Sequence, residues 1–100
     1  MKLLLADDQT KVRSALRLLL EQQTDIAIMG EAVDSRGVLD WIRVACPDLI
    51  LFDWELPGLQ GVQLVRAVHR LCPAVQLIAM SGRPESRAAA LAAGVDVFVS

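Results

Sequence analysis

Three apolar runs in this sequence stop abruptly on groups that can do chemistry. Leu3-Leu4-Leu5-Ala6 ends at Asp7-Asp8, Leu49-Ile50-Leu51-Phe52 ends at Asp53, and Val75-Gln76-Leu77-Ile78-Ala79-Met80 ends at Ser81. One carboxylate closing a strand is most often a solvated cap. Three carboxylates in one crevice are different, because like charges a few ångströms apart raise each other's pKa unless a cation lies between them. An all-oxygen donor set suits a hard octahedral ion such as Mg2+, which keeps some of its waters. A phosphoryl group bridging that ion and a carboxylate oxygen would fill the space left, with the Ser81 hydroxyl and backbone N–H groups as donors to its oxygens. Asp53 is the candidate nucleophile, since Phe52 and Trp54 on either side would hold its carboxylate on a stiff strand end.

For those groups to meet, the runs must be neighbouring strands of one sheet. Ile26-Ala27-Ile28-Met29-Gly30 and Val95-Asp96-Val97-Phe98-Val99 complete a set of five. Most of the runs lack apolar/polar alternation, which predicts a parallel sheet with its central strands covered on both faces. Between them lie stretches of helical period. Val12, Ala15, Leu16 and Leu19 form one stripe, with Lys11, Arg13 and Arg17 off it. A second helix opens at Asp34 as N-cap, turns Val38, Ile42 and Ala45 inward, and ends at Cys46-Pro47. A third runs from about Leu59 with Leu64, Val65, Val68 and Leu71 inward and ends at Cys72-Pro73, echoing the second. A fourth has Pro84 in its first turn, an alanine-rich body and Gly94 as its C′ stop. The order βαβαβαβαβ with right-handed crossovers gives an α/β, doubly wound parallel sheet. Ligands of such sheets bind beyond the carboxyl ends of the strands, where Asp7, Asp8, Asp53 and Ser81 fall.

Composition limits the alternatives. One hundred residues make one domain, and 54% of them are apolar before the six glycines are added, against roughly 45–50% with glycine included in an ordinary soluble domain. Charged residues recur from Lys2 to Asp96, so no stretch reaches the ~18–20 apolar residues of a membrane span. A net charge of −2 gives no basic footprint for nucleic acid. The two cysteines, Cys46 and Cys72, lie outside any CxxC pattern and are expected to be reduced core thiols. Without a leader-like N-terminus, a cytoplasmic location is expected.

At the strand ends the sequence resembles a known family. Asp7-Asp8, Leu51-Phe52-Asp53 followed by Leu56-Pro57-Gly58 and Gly61, Ser81-Gly82, and Ala92-Ala93-Gly94-Val95-Asp96-Val97-Phe98-Val99 together resemble the receiver domain of bacterial two-component response regulators, in order and spacing over the whole chain. The resemblance implies a flavodoxin-like sheet with strand order 2-1-3-4-5. It implies that Asp53 is the phosphoacceptor, taking a phosphoryl group from the phosphohistidine of a sensor histidine kinase. Asp7 and Asp8 then hold Mg2+, Asp8 more directly, with Asp53 and the backbone carbonyl of Glu55 completing the protein's share. Ser81 matches the hydroxyl that swings toward the phosphoryl group, and Phe98 the aromatic switch that turns inward with it. The surface of the fourth helix and fifth strand would change as a result and serve association or output.

The sequence departs from that family at its end and beside its nucleophile. The family's lysine would fall just after Ser100, and a fifth helix would follow it, so residues 1–100 read as a C-terminally truncated receiver: either a piece of a longer chain or a natural variant. Without that lysine the phosphoryl charge loses a counter-charge. Trp54 stands where the family usually has a smaller aliphatic residue and either narrows access to the site or covers the third helix. Glu55 and Arg83 occupy positions that tune phosphoryl lifetime in the family. His69, the sole histidine, reads as a surface residue of the third helix. The leading expectation is a phosphorylation-dependent switch, not a turnover enzyme. The alternative is a receiver-like module that works by protein contacts without phosphorylation. An aspartate-nucleophile phosphatase would need a cap and loops for which 100 residues leave no room. DNA would be reached only through an output domain outside this chain. Leaving a few hundred Å2 of apolar sheet uncovered would forgo about 5–10 kcal/mol at ~25 cal/mol per Å2, so a homodimer or higher assembly covering the face of the missing helix is expected.

Overall fold

A computed structural model describes residues 1–100. Five parallel strands, β1 (Lys2–Ala6), β2 (Ala27–Ala32), β3 (Leu49–Asp53), β4 (Gln76–Met80) and β5 (Val97–Val99), form one sheet in the order β2-β1-β3-β4-β5. The helices between them are α1 (Thr10–Glu21), α2 (Ser35–Val44), α3 (Gly61–Leu71) and α4 (Arg87–Ala93), the last entered through a 3-10 turn at Pro84–Ser86. The flavodoxin-like, doubly wound fold is the one the sequence predicts. Strand limits shift by one or two residues, most at β2, where Glu31 lies inside the strand and not beyond its end.

Successive strand residues point to opposite faces, and here both faces are apolar. Leu4, Ala6, Ile50, Phe52, Leu77, Ala79 and Phe98 join α2, α3 and α4 in a core cluster of 18 buried residues. Leu3, Leu5, Leu49 and Leu51 face the other way, against Leu16 and Leu20 of α1. This two-sided burial is why the strands read as unbroken apolar runs. The faces differ in cover, however. The single helix α1 suffices for β1 and β3, while Ile78 and Met80 are half-buried and Val97 and Val99 remain 47% and 51% exposed. Exposed apolar surface on this face is therefore confined to β4 and β5. No residue of α1 is buried, and the inward stripe carries Leu16 and Leu20, with Leu19 outside.

Local signals set the helix ends. The Asp34 carboxylate accepts from the Gly37 N–H at 2.8 Å, as an N-cap should. Gln60 and Gln63 cap the start of α3 reciprocally, so that helix begins two residues later than its apolar pattern suggests. Gly94 takes φ +112°, a left-handed geometry that stops α4 and favours glycine. Leu71 ends α3 on the exposed side, and Ala45 is an exposed C-cap, so neither belongs to the core. His69 is half-buried against the α4–β5 turn: a Cβ on Gly94 would lie 3.0 Å from its ring.

The cysteines correct the sequence reading. Cys46 and Cys72 are joined in a disulfide, with Cα atoms 5.7 Å apart, and only Cys72 is buried. Each sits at the end of the helix preceding its strand, and β3 and β4 are neighbours paired Leu49 with Gln76. Equivalent positions of adjacent βα units thereby come together.

Candidate acidic site at the strand ends

β1 and β3 pair side by side from Leu3–Leu49 to Ala6–Phe52, so the residues that follow them emerge at the same edge. Asp7, Asp8 and Asp53 meet there, each with a carboxylate oxygen within 4.8 Å of the others. Asp7 is 5% exposed, Asp53 half-buried and Asp8 open to solvent. The backbone holds this arrangement. The Asp7 N–H donates to the Ala32 carbonyl at 3.0 Å, and its carboxylate accepts from the Gln9 N–H at 2.8 Å. Arg13 donates to the Asp7 carbonyl at 2.7 Å and to Glu31 at 2.9 Å, fixing the loop that enters α1. Glu31 is held below the usual carboxylate range, chiefly by its hydrogen bond from Arg17 and then by Arg13. That carboxylate is thus paired with two arginines and is not one of the acidic trio.

Electrostatics single out two members. Burial pushes the Asp7 carboxyl up, the Gln9 N–H partly offsets this, and the negative charges of Asp53 and Asp8 add to the rise. Asp53 is raised for the same leading reason, offset by the Glu55 N–H at 2.9 Å and reinforced by the charges of Glu55 and Asp8. The charge of Arg13, whose guanidinium is bonded to the Asp7 carbonyl, offsets only part of the rise at Asp7, and a crowded set of oxygen donors of this kind suits a hard divalent cation, which would relieve the repulsion. The donor set therefore fits the Mg2+ ion that the resemblance implies.

Ser81 closes the site from β4. Its N–H donates to the Val99 carbonyl at 3.0 Å, and its hydroxyl accepts from the Arg83 N–H at 3.0 Å. The same hydroxyl donates toward both carboxylate oxygens of Glu55, at 2.8 and 2.9 Å. This contact was not anticipated. Glu55, expected to offer its backbone carbonyl to Mg2+ and to tune phosphoryl lifetime, here engages its N–H and its carboxylate. Phe98 is 7% exposed and already packed in the larger core cluster.

Trp54 lies over the start of α3. A Cβ on Gly61 would come within 2.7 Å of its indole, so glycine there makes room for the ring. Of the two readings of Trp54, covering the third helix is the one seen, and the ring also packs against the larger core cluster. Beside it runs an open groove of about 460 Å3 lined by Trp54, Glu55, Pro57, Gly61, Arg83 and Ala89, adjoining the acidic trio without including it.

A parallel 2-1-3-4-5 sheet that gathers three carboxylates and a hydroxyl at the carboxyl ends of its central strands defines a receiver-type signalling domain. Residues 3–100 match the response regulator receiver domain, and the chain belongs to that family. It is 33% identical over 81 residues to the transcriptional regulatory protein YhcZ of Bacillus subtilis, covering 81% of this chain and 38% of that protein. It is 31% identical over 83 residues to the response regulator UvrY of Escherichia coli, covering 83% of this chain and again 38% of that protein. The chain thus spans under two fifths of the length of these relatives. Among solved structures, a two-component response regulator of the LuxR family from an Aurantimonas species superposes with TM-score 0.87 at 27% identity, over 97% of this chain and 71% of that one. The isolated receiver domain of RcsB from Salmonella enterica serovar Typhimurium, at 24% identity, shares the fold with TM-score 0.89 over 99% of this chain and 75% of that one. No helix is long and apolar enough to cross a membrane.

Proposed function

We propose that this receiver accepts a phosphoryl group on Asp53 from the phosphohistidine of a sensor histidine kinase and passes the change on through Ser81 and Phe98. The observation that carries this reading is the meeting of Asp7, Asp8 and Asp53 within 4.8 Å at the carboxyl edge of neighbouring strands. An Asp53 oxygen attacks phosphorus, the N–P bond breaks, and the imidazole leaves and takes up a proton. The Glu55 N–H orients the attacking carboxylate. Asp7, Asp8, Asp53 and the Glu55 carbonyl would hold Mg2+, which when bound supplies positive charge against the phosphoryl oxygens. Ser81 can serve the new oxygens only by turning its proton away from Glu55, so the Ser81–Glu55 hydrogen bond marks the resting arrangement. Displacement of Ser81 would reach β5 directly, because its N–H is bonded to Val99, next to Phe98.

The domain acts as a signalling switch and not as an enzyme of repeated turnover. Its self-catalysed chemistry is limited to phosphoryl uptake and slow hydrolysis of the aspartyl phosphate. A role in transcription, through an output domain elsewhere in a longer protein, is supported by the relatives' names. Association of two copies through the β4–β5 face is part of the same proposal, since Val97 and Val99 offer apolar surface there. Light scattering tests it, and a monodisperse monomer overturns it. For the switch itself, beryllofluoride with Mg2+ should change the fluorescence of Trp54, which adjoins the site. No Mg2+-dependent change at millimolar concentrations would favour the module that works without phosphorylation.

A further inference from the structure

The Cys46–Cys72 disulfide lies at the edge of the sheet opposite the acidic trio, and its two cysteines differ in exposure. Cys46 is exposed, whereas Cys72 is 2% exposed and packed in the larger core cluster. The bond borders an open groove of about 430 Å3 lined by Cys46, Pro47, Asp48, Cys72, Pro73 and Gln76. Both cysteines are C-terminal to helices, so the bond ties the end of α2 to the end of α3. Thiol–disulfide exchange needs in-line approach of a thiolate to one sulfur, and exposed disulfides are the labile ones. The groove borders both cysteines, and the exposed Cys46 is the more accessible residue of the pair.

We propose that Cys46–Cys72 is a thiol–disulfide exchange site that takes a dithiol reductant at Cys46 and releases the α2 and α3 ends from each other. A thiolate of the dithiol attacks Sγ of Cys46, the Cys46–Cys72 bond breaks, and Cys72 leaves as a thiolate that takes up a proton. The second thiol of the reductant attacks the mixed disulfide, freeing Cys46 and leaving the reductant as its own disulfide. Two electrons and two protons pass from the dithiol to the cysteine pair, and a disulfide oxidant such as oxidised glutathione reverses the change. The bond closes a loop with a sequence separation of 26, so its loss frees that segment in the unfolded chain and loosens its ends in the folded one.

The test uses the folded chain in buffer without denaturant, with dithiothreitol as the dithiol and iodoacetamide as the trap. Before reduction neither cysteine should alkylate; after it both should, Cys46 first. Tm should fall on the order of 10 °C on reduction and recover with oxidised glutathione. A Cys72→Ser variant should form a mixed disulfide with glutathione at Cys46 at least about ten times faster than a Cys46→Ser variant does at Cys72. Should either variant fail to fold, the order of alkylation in the unaltered chain decides. A disulfide that resists dithiothreitol until the chain is unfolded, or two free thiols in protein exposed to oxidised glutathione, overturns the proposal. The readout is thiol content, so its outcome is independent of whether Asp53 accepts phosphate.

Discussion

At the carboxyl edge of the sheet, β1 and β3 deliver Asp7, Asp8 and Asp53 into mutual repulsion, with oxygen atoms within 4.8 Å and two of the three carboxyls pushed up by burial. At the opposite edge, the ends of α2 and α3 deliver Cys46 and Cys72 into a covalent bond, and two further aspartates lie there in repose. Asp48 accepts from the Lys2 N–H at 2.7 Å and Asp96 from the Leu77 N–H at 2.8 Å, each satisfying the start of a neighbouring strand. The same residue type is thus frustrated at one edge and satisfied at the other. Crowded carboxylates favour a cation among them, while the satisfied ones hold the frame that crowds them.

The sharpest way to break this contrast is to neutralise one acid at each edge. Asp53→Asn should abolish the beryllofluoride response and lower acyl-phosphate formation by at least about a hundredfold, since no nucleophile remains, while Tm stays level or rises. Asp48→Asn should leave phosphorylation unchanged and at most lower Tm. If both variants behave alike, the two edges are not distinct. Next in size, replacing both cysteines by serine should cost about 2–4 kcal/mol in urea unfolding for a loop of this length, with the acyl-phosphate rate unchanged.

The third prediction concerns pH. Asp7 and Asp53 have folded pKa values above the ordinary 3.8, so the folded state binds more protons than the unfolded chain at pH values between the two. Their contribution to stability is greatest below the unfolded value and is lost as pH rises through the folded one. A cation that requires the charged carboxylates acts in the opposite sense. Stabilisation by Mg2+, about 1–3 kcal/mol at concentrations well above its Kd, should be full at neutral pH and fade as pH falls through the raised values. Thermal melts with and without Mg2+ across pH 4–8 measure it. A smaller effect is expected from Glu55→Gln. It weakens the charged acceptor that holds the Ser81 proton and should speed phosphoryl accumulation from a small phosphodonor by a few-fold, on the order of 1 kcal/mol. An unchanged rate would show that the Ser81–Glu55 bond does not hold the resting arrangement.

The carboxyl edge was legible in the sequence because its signals are local: an apolar strand and the polar residue that ends it lie next to each other along the chain. Strand order then needed only the rules for parallel sheets and the family resemblance. The opposite edge was harder. Arg43-Val44-Ala45-Cys46-Pro47 and Val68-His69-Arg70-Leu71-Cys72-Pro73 can be seen as echoes. Strand order 2-1-3-4-5 already makes β3 and β4 neighbours, but turning that echo into a bond also requires their register, Leu49 beside Gln76, a long-range fact. Leu19 and Leu71 were misplaced for a related reason, since helical period identifies a stripe but not which edge of it meets the sheet. The Ser81–Glu55 contact depends on two loops folded over one another, and no spacing along the chain encodes it.

The claim on which the rest depends is that the frustrated carboxylates exist for phosphoryl transfer to Asp53. Incubating the chain with acetyl phosphate and Mg2+, reducing the product with borohydride and mapping the peptides by mass spectrometry tests it directly. The account predicts a single modified aspartate, Asp53, whose formation is lost when Mg2+ is chelated. Modification of a different residue, or none under conditions where beryllofluoride alters Trp54 fluorescence, would contradict it.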